Sequence, residues 1–332
     1  MIVVTIDTGT TNTRVRVWQA GALLAIAEQP VGVRDTGITG SRARLANGVR
    51  TAIDDALAQA GIAHPAVGRY LAAGMITSNM GLHEVPHLPA PAGAEALAAA
   101  MVSAEIPGLA DQPVWFVPGV RNPVETVSVE NCESMDMMRG EEVETIGLMD
   151  ATGVGGPLLL ILPGSHTKFV RVDGEGRIAG SATTLGGELL SVITEGTILA
   201  AALERSFART LDEPMALEGA ALARRVGLSR CCFAVRVLDQ FTKADRDAKA
   251  SFLAGAIAAT DLEAVLASSA LGHCAALPVL VGGSNDMARV FVALMRGDAR
   301  FGEDLRFIEP AVMREASARG VMRVAQLRGL IG

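Results

Sequence analysis

Two short loops rich in glycine and hydroxyl residues could bind phosphate. They are "TGTTN" (Thr8 to Asn12) and "PGSHTK" (Pro163 to Lys168), each after an apolar run. A shift of 155 positions superposes Gly9 on Gly164, Thr10 on Ser165, Val15 on Val170, Arg16 on Arg171 and Val17 on Val172. Tight turns of this composition bring backbone N–H groups and hydroxyls close to an anion. The repeat therefore predicts two hairpins, one near the start of each half, that grip a triphosphate.

Asp7 indicates a divalent cation beside the first loop. It follows the apolar run "IVVTI" and lies two residues before Gly9. A carboxylate beside phosphates repels them unless a cation lies between, so we expect Mg²⁺, bound by Asp7 directly or through water. The alternative is that Asp7 and Thr10 only cap a turn. Neither loop has the Gly-Lys-Ser/Thr ending of a P-loop or the three glycines of a Rossmann turn.

The elements that position these loops follow the same order in both halves. Strands are predicted at residues 2–6, 13–18, 22–29, 69–73 and 114–119, and again at 158–162, 166–172, 177–183, 277–283 and 305–308. Helices are predicted at 41–60, 94–104, 137–149, 187–205, 213–226 and 248–270, before terminal helices. Strands alternating with helices indicate α/β layers. The break "TGVGGP" (Thr152 to Pro157) predicts domains 1–150 and 151–332, with the terminal helices packed back on the first.

Composition restricts the class of protein. A chain of 332 residues suits two domains, and its net charge of −7 argues against affinity for nucleic acid or anionic membranes. No stretch reaches the roughly 18 consecutive apolar residues of a membrane span, and no basic leader opens the chain. The cysteines lack metal-type spacing and are expected to be reduced thiols. We expect a soluble cytoplasmic protein that binds small molecules. The composition does not decide between a monomer and a homodimer.

Further motifs narrow the fold. "AAGMITSN" (Ala72 to Asn79), "MRGEEVETIG" (Met138 to Gly147), "LPGSHTKFV" (Leu162 to Val170) and "GGELL" (Gly186 to Leu190) resemble the 2-dehydro-3-deoxygalactonokinase family. That family belongs to the sugar kinase, actin and hexokinase superfamily. The resemblance implies two duplicated α/β domains of the ribonuclease H-like type, with a nucleotide cleft between them. It also implies transfer of the γ-phosphoryl group of ATP to the 6-hydroxyl of 2-dehydro-3-deoxy-D-galactonate, a step in D-galactonate catabolism.

The resemblance also implies nucleotide-binding roles. One side of the phosphates would be held by Gly9, Thr10, Thr11 and Asn12, and the other by Gly164, Ser165 and Thr167. Arg14 and Lys168 would neutralise charge on the transferring phosphoryl group, unless they only occupy solvated strand positions. The strand ending in Gly282, Gly283 and Ser284 matches the family's adenosine element; an ordinary strand-to-helix turn is the alternative.

A carboxylate must lie near the attacking hydroxyl. We favour Asp136 as this base, at the start of a helix carrying Arg139, with Glu141 as the alternative. The alternative is that Asp136 only caps that helix and that its glutamates form a solvated face. The residues expected to bind the sugar acid are Ser78, Asn79, Arg121 and Arg139. Glu188 would face the cleft or only complement a helix dipole.

The chain departs from the family pattern at three positions. Thr8 and Leu82 stand where the resemblance leads us to expect aromatic residues, and Phe169 stands where it leads us to expect tryptophan. Leu82, followed by His83, lies near the expected sugar pocket. A kinase for a related acid, such as 2-dehydro-3-deoxygluconate, is therefore an alternative. An actin-like ATPase and a nucleotide-binding protein without kinase activity are alternatives from other classes. The polar residues in "SN" and "MRGEE" favour a kinase, because a kinase needs a polar acceptor pocket.

Overall fold

The computed structural model describes residues 1–274, 276–283, 286–296 and 298–332. The first half forms β1 (Ile2–Thr8), β2 (Thr13–Gln19), β3 (Ala22–Gln29), α1 (Val33–Thr39), α2 (Ala43–Ala60), β4 (Val67–Gly74), β5 (Leu88–Pro89), α3 (Ala94–Ala100), β6 (Val102–Ala104), β7 (Val114–Phe116), β8 (Val120–Arg121), β9 (Met137–Met138) and α4 (Glu141–Thr152). The second half forms β10 (Leu158–Leu162), β11 (Thr167–Val172), β12 (Ile178–Thr184), α5 (Gly186–Gly196), α6 (Glu213–Val226), α7 (Leu228–Phe241), α8 (Arg246–Ala267), β13 (Val279–Gly282), α9 (Asp286–Arg296), β14 (Leu305–Ile308) and α10 (Pro310–Leu327). Each half therefore opens with three consecutive strands.

The two large sheets share the order of five strands, and the first sheet has one more at its edge, β6. The first has the order β3-β2-β1-β4-β7-β6, and the second has the order β12-β11-β10-β13-β14. In each, the first three strands pair antiparallel, and the first strand also pairs in parallel with a later one, β4 or β13. A small sheet, β5-β8-β9, is added to the first half. The predicted fold of two duplicated α/β domains is confirmed.

Strand pairing corrects the predicted alignment of the second strands. Asp7 pairs with Arg14, but Leu162, its equivalent at the shift of 155, pairs with Lys168. The second loop is thus one residue shorter, so Lys168 is the structural equivalent of Arg14. The matches of Val15, Arg16 and Val17 with Val170, Arg171 and Val172 are wrong, because a slip of one residue turns each side chain to the other face. Accordingly, Val15 lies in the core of its own half and Val170 in the core between the halves.

The core between the halves contains helices α4 and α10, one from each half. They approach closely because glycines stand at their contact. A Cβ added to Gly147 would lie 1.9 Å from the carbonyl oxygen of Ala316, and one added to Gly320 would lie 1.7 Å from that of Val143. The other two cores lie under α2 in the first half and around α8 in the second. Helix α10, near the C-terminus, thus packs against α4 of the first half.

Several predicted elements have different bounds. The helix predicted at 137–149 begins only at Glu141, with Gly140 at its N-cap in a left-handed backbone conformation (φ 109°). Asp136 therefore does not cap it, and the segment before it forms β9. The helix predicted at 94–104 ends at Ala100, because residues 102–104 pair with β7. The helix predicted at 187–205 ends at Gly196, and helices α1, α7 and α9 were not predicted.

Helix α8 is long and apolar enough to cross a membrane by length and composition alone. However, 67% of its most apolar stretch is buried inside the protein. It packs against α5, α6, α7 and α9 in the core of the second half. We therefore assign it as the central helix of that domain.

Candidate active site

The first loop is a tight turn that rests on the start of α1. The Gly9 N–H donates to the carbonyl oxygen of Asn12 at 2.8 Å, and Thr10, Thr11 and Asn12 are exposed. The Arg34 N–H donates to the carbonyl oxygen of Thr10 at 2.9 Å. The turn therefore presents the hydroxyl and amide side chains of residues 10–12 to solvent.

The second loop rests in the same way on the start of α5. The Glu188 N–H donates to the carbonyl oxygen of Ser165 at 2.8 Å, and the Glu188 carboxylate lies 3.0 Å from His166 Nε2. Ser165 is exposed and Thr167 is buried. Glu188 thus contacts the second loop from its position in the first turn of α5.

Two glycines allow these helices to approach the loops. A Cβ added to Gly32 would lie 2.4 Å from the carbonyl oxygen of Thr10, and one added to Gly187 would lie 2.0 Å from that of Gly164. The two glycines are related by the same shift of 155 positions as the loops. The repeat in the sequence therefore extends beyond the hairpins to these two glycines.

A charged pocket of about 190 Å³ lies at the end of β1. It brings together four predicted residues, namely Asp7, Arg14, Arg139 and Glu141. It also contains residues that were not predicted: Arg16, Gly140, Glu144, Met313, Arg314 and Ser317. Arg16 is 2% exposed, and its Nε and Nη1 have no hydrogen-bond partner among the described residues. No sequence signal pointed to the α10 residues, because their proximity arises from the crossing of α4 and α10.

Burial dominates the electrostatics of this pocket. Burial raises the pKa of Asp7, and the nearby cations Arg16 and Arg14 oppose that effect. Burial, with smaller contributions from Glu141 and Asp7, raises the pKa of Glu144 to about 8. Arg14 also forms an ion pair with Glu28. A cation bound in this pocket would therefore stabilise the ionised form of these carboxyl groups.

The residues present fit a magnesium ion. Mg²⁺ takes oxygen ligands, and proteins often hold it by one or two carboxylates together with substrate phosphates. Asp7 supplies such a carboxylate beside the first loop, with Glu141 and Glu144 in the same pocket. In the described ranges no group of three acidic, His or Cys side chains is arranged to hold a metal by itself.

Asp136 and Lys168 lie together and do not line this pocket. Lys168 Nζ lies 3.4 Å from Asp136 Oδ2 and donates to the carbonyl oxygen of Met137 at 2.7 Å. Asp136 lines a different groove, between residues 132–136 and the end of β12. The structure thus separates the two carboxylates that were considered as the base.

The predicted sugar-acid residues surround the loop after β4. Arg139 donates to Thr77 Oγ1 at 2.7 Å and to the carbonyl oxygen of Val85 at 2.8 Å. Ser78 is buried and its hydroxyl donates within its own turn, to the carbonyl oxygen of Met75 at 2.7 Å. Asn79 is exposed. Arg139 therefore anchors the loop whose surface residue is Asn79.

Arg121 and Arg139 make this region cationic. Arg121 donates to the carbonyl oxygens of Asn122 and Val124, at 3.1 and 2.9 Å. The pKa of His87 is lowered to about 4 by burial and then by Arg139, Arg121 and Lys168. His87 is therefore neutral at pH 7, and the remaining cations favour an anionic ligand.

A larger cavity of about 540 Å³ opens beside the second loop. Gly164, Ser165, Thr194, Phe207, Ser251 and Asp286 are among its lining residues. Gly283 precedes Asp286 closely in sequence, and Ser284 lies outside the described residues. A Cβ on Gly282 would lie 2.6 Å from Met313 Sδ, so the missing side chain makes room for α10.

Comparisons with known proteins agree with this arrangement. The model of the family described as 2-keto-3-deoxy-galactonokinase matches residues 7–323. A solved structure from Sinorhizobium meliloti, provisionally named 2-dehydro-3-deoxygalactonokinase, superposes with a TM-score of 0.76 at 22% identity, covering 98% of each chain. The activator of 2-hydroxyisocaproyl-CoA dehydratase from Clostridium difficile, solved with ADPNP, superposes with a TM-score of 0.51 at 12% identity, covering 99% of this chain and 96% of that one. These structures show the shared fold. Among curated protein sequences there is no match.

Proposed function

Because this chain belongs to the 2-keto-3-deoxy-galactonokinase family and is therefore a sugar kinase, we propose that it phosphorylates the 6-hydroxyl of 2-dehydro-3-deoxy-D-galactonate with ATP. This reaction would serve D-galactonate catabolism in the cytoplasm. The observation that carries the proposal is the charged pocket. It places Asp7, at the end of the first phosphate loop's strand, beside Glu141 and the cations Arg14 and Arg139.

Glu141 is the residue that we propose as general base. It lines the pocket with Asp7, and its Oε2 accepts a hydrogen bond from the backbone N–H of Arg139 at 3.1 Å. A general base must be within hydrogen-bonding reach of the hydroxyl it deprotonates. Asp136, which the sequence favoured, lies in another groove. The proton of the acceptor hydroxyl would therefore pass to Glu141.

The remaining roles follow from charge and position. Phosphoryl transfer depends on positioning and on neutralising the charge of the transferring group. Residues 9–12 and 164–167 would hold the phosphates from opposite sides, and Arg14 would face the transferring group. Mg²⁺, held by Asp7, would neutralise phosphate charge when it is bound. The cavity of about 540 Å³ beside Gly164 would receive the adenosine.

The acceptor would bind at the cationic region next to the charged pocket. Its carboxylate requires positive charge, which Arg139 and Arg121 supply around the neutral His87. Asn79 is the exposed amide of the adjoining loop and would contact substrate hydroxyls. This combination favours a sugar acid over a neutral hexose.

Two measurements test the proposal. ADP release should be rapid with ATP, Mg²⁺ and 2-dehydro-3-deoxygalactonate, and much slower with its gluconate epimer or with glucose. Glu141→Gln should lower kcat by about 10²–10⁴-fold, the range typical of a general base. ATP hydrolysis that no sugar acid stimulates would overturn the function, and full activity of Glu141→Gln would overturn the base.

A further inference from the structure

We propose that Asp136 and Lys168 are a positioning pair that fixes Arg139 and Glu141 against the second half of the chain, and that neither contacts the reacting atoms. The inference rests on the proposed function, in which Glu141 is the base. It concerns two residues whose types alone would suggest a base and a phosphate-binding cation.

Both carboxylate oxygens of Asp136 are occupied by donors from the second half. The hydroxyl of Ser181 donates to Oδ2 at 2.7 Å, and that of Thr183 is 2.9 Å from Oδ1. Lys168 Nζ lies 3.4 Å from Oδ2. The Asp136 side chain is only 14% exposed. These contacts take up three of the roughly four acceptor positions of the carboxylate.

Lys168 is committed in the same way. Its side chain is 5% exposed, and its ammonium group contacts Asp136, Thr183 and the carbonyl oxygen of Met137. An ammonium has three N–H donors, so three acceptors satisfy it fully. Although Lys168 is the structural equivalent of Arg14, its ammonium group bonds Asp136 and Met137 of the first half and Thr183 of its own half.

The neighbouring chain is fastened to the same edge of the second sheet. The Asn122 side chain accepts the Ser181 N–H at 2.8 Å and donates to the Ser181 carbonyl oxygen at 2.9 Å. Those two backbone groups lie on the free edge of β12, and the amide takes the place of a paired strand there. The Asn122 N–H in turn donates to the carbonyl oxygen of Asp136 at 2.8 Å.

This attachment determines where the active-site residues lie. Arg139 and Glu141 follow Asp136 by three and five residues. Met137, which lies between Asp136 and Arg139, accepts the Lys168 hydrogen bond at its carbonyl oxygen. Loss of the pair would loosen the attachment of β9 to the second half, leaving the Asn122 hydrogen bonds to Ser181. Since displacement of catalytic groups by about 1 Å can cost about 10²-fold in rate, the effect should appear in kcat.

The test compares Asp136→Asn, Lys168→Met and the double variant in the ADP-release assay. Each single change leaves a buried charge without its partner, whereas the double change leaves none. We expect each single variant to lose about 10–10²-fold in kcat, with KM for ATP little changed, and the double variant to recover at least about 5-fold of that loss. A base cannot be restored by changing its neighbour. If the double variant is as inactive as Asp136→Asn, the positioning role is overturned.

The other buried lysine pair provides a matched control. Lys249 Nζ lies 2.9 Å from Asp239 Oδ1, and this pair joins α8 to α7 within the second half. Lys249→Met should lower thermal stability but leave kcat and KM as they are. If it lowers kcat as much as Lys168→Met does, the effect is general destabilisation and the inference fails. Wild-type protein that phosphorylates no sugar acid would instead refute the proposed function.

Discussion

Replacing Gly187 by alanine tests whether contact between α5 and the second loop is needed for nucleotide binding. The added Cβ would lie 2.0 Å from the carbonyl oxygen of Gly164 and 2.8 Å from Ser165 Cα. Ordinary contacts of such a carbon begin near 3.4 Å. The helix or the loop must therefore move by more than 1 Å, and both contacting atoms are backbone, which cannot rotate away.

The magnitude follows from that displacement. Overpacking of a filled site costs about 1–3 kcal/mol of stability, which a two-domain protein should survive. Misplacement of phosphate-binding groups by about 1 Å can cost about 10²-fold in rate. We expect Gly187→Ala to lower kcat/KM for ATP by about 10²-fold while the protein stays folded.

The assay is ADP release at saturating sugar acid with varied ATP, accompanied by calorimetric titration with ADP. Gly196→Ala is the matched control, because it lies in the same helix and its Cβ would have no neighbour within 4 Å. It should be neutral or slightly stabilising, since alanine favours helix. If Gly187→Ala binds nucleotide as well as Gly196→Ala does, the loop does not hold phosphate in the way we infer.

Two further predictions concern stability. Burial raises the pKa of Asp261 to about 6, so the folded protein binds a proton that the unfolded chain has lost, and stability falls as pH rises from about 4 to 6. Asp261→Asn should remove up to about 3 kcal/mol of that pH dependence in urea unfolding, and an unchanged slope would show that Asp261 is not the cause. Gly320→Ala would place Cβ 1.7 Å from the carbonyl oxygen of Val143 and should destabilise by about 3 kcal/mol or more, whereas Gly155→Ala, with no atom within 4 Å, should not. Equal melting temperatures for these two variants would mean that α4 and α10 can separate without cost.

The duplicated architecture was readable from sequence because it depends on local patterns. Apolar runs and glycine punctuation gave several elements with their bounds, including β10, β14 and α6. The out-of-register match of Val15 with Val170 arose because one residue is missing from the second loop, and only strand pairing shows where. Helix α1 was missed because "VRDTGIT" contains poor helix formers, and contacts with α2 stabilise it.

The residues of the candidate pocket could also be predicted only in part. Asp7, Arg14, Arg139 and Glu141 were each identified, but residue types could not separate their pocket from the groove of Asp136. The separation depends on the start of α4 at Glu141 and on the position of β12. Arg16, Glu144 and Ser317 were missed because burial and the approach of α10 give them their place.

The pairing of α4 with α10 has a consequence for biosynthesis. Val143, Ile146 and Leu148 lie on a helix of the first half, but the core that buries them includes residues 316–325. Domains usually fold in order as the chain leaves the ribosome. Here the core that contains α4 cannot form completely until α10 has been synthesised. The apolar face of α4 is therefore exposed to solvent while the second half is translated. Expression of residues 1–150 alone should therefore give a product that depends on chaperones or aggregates.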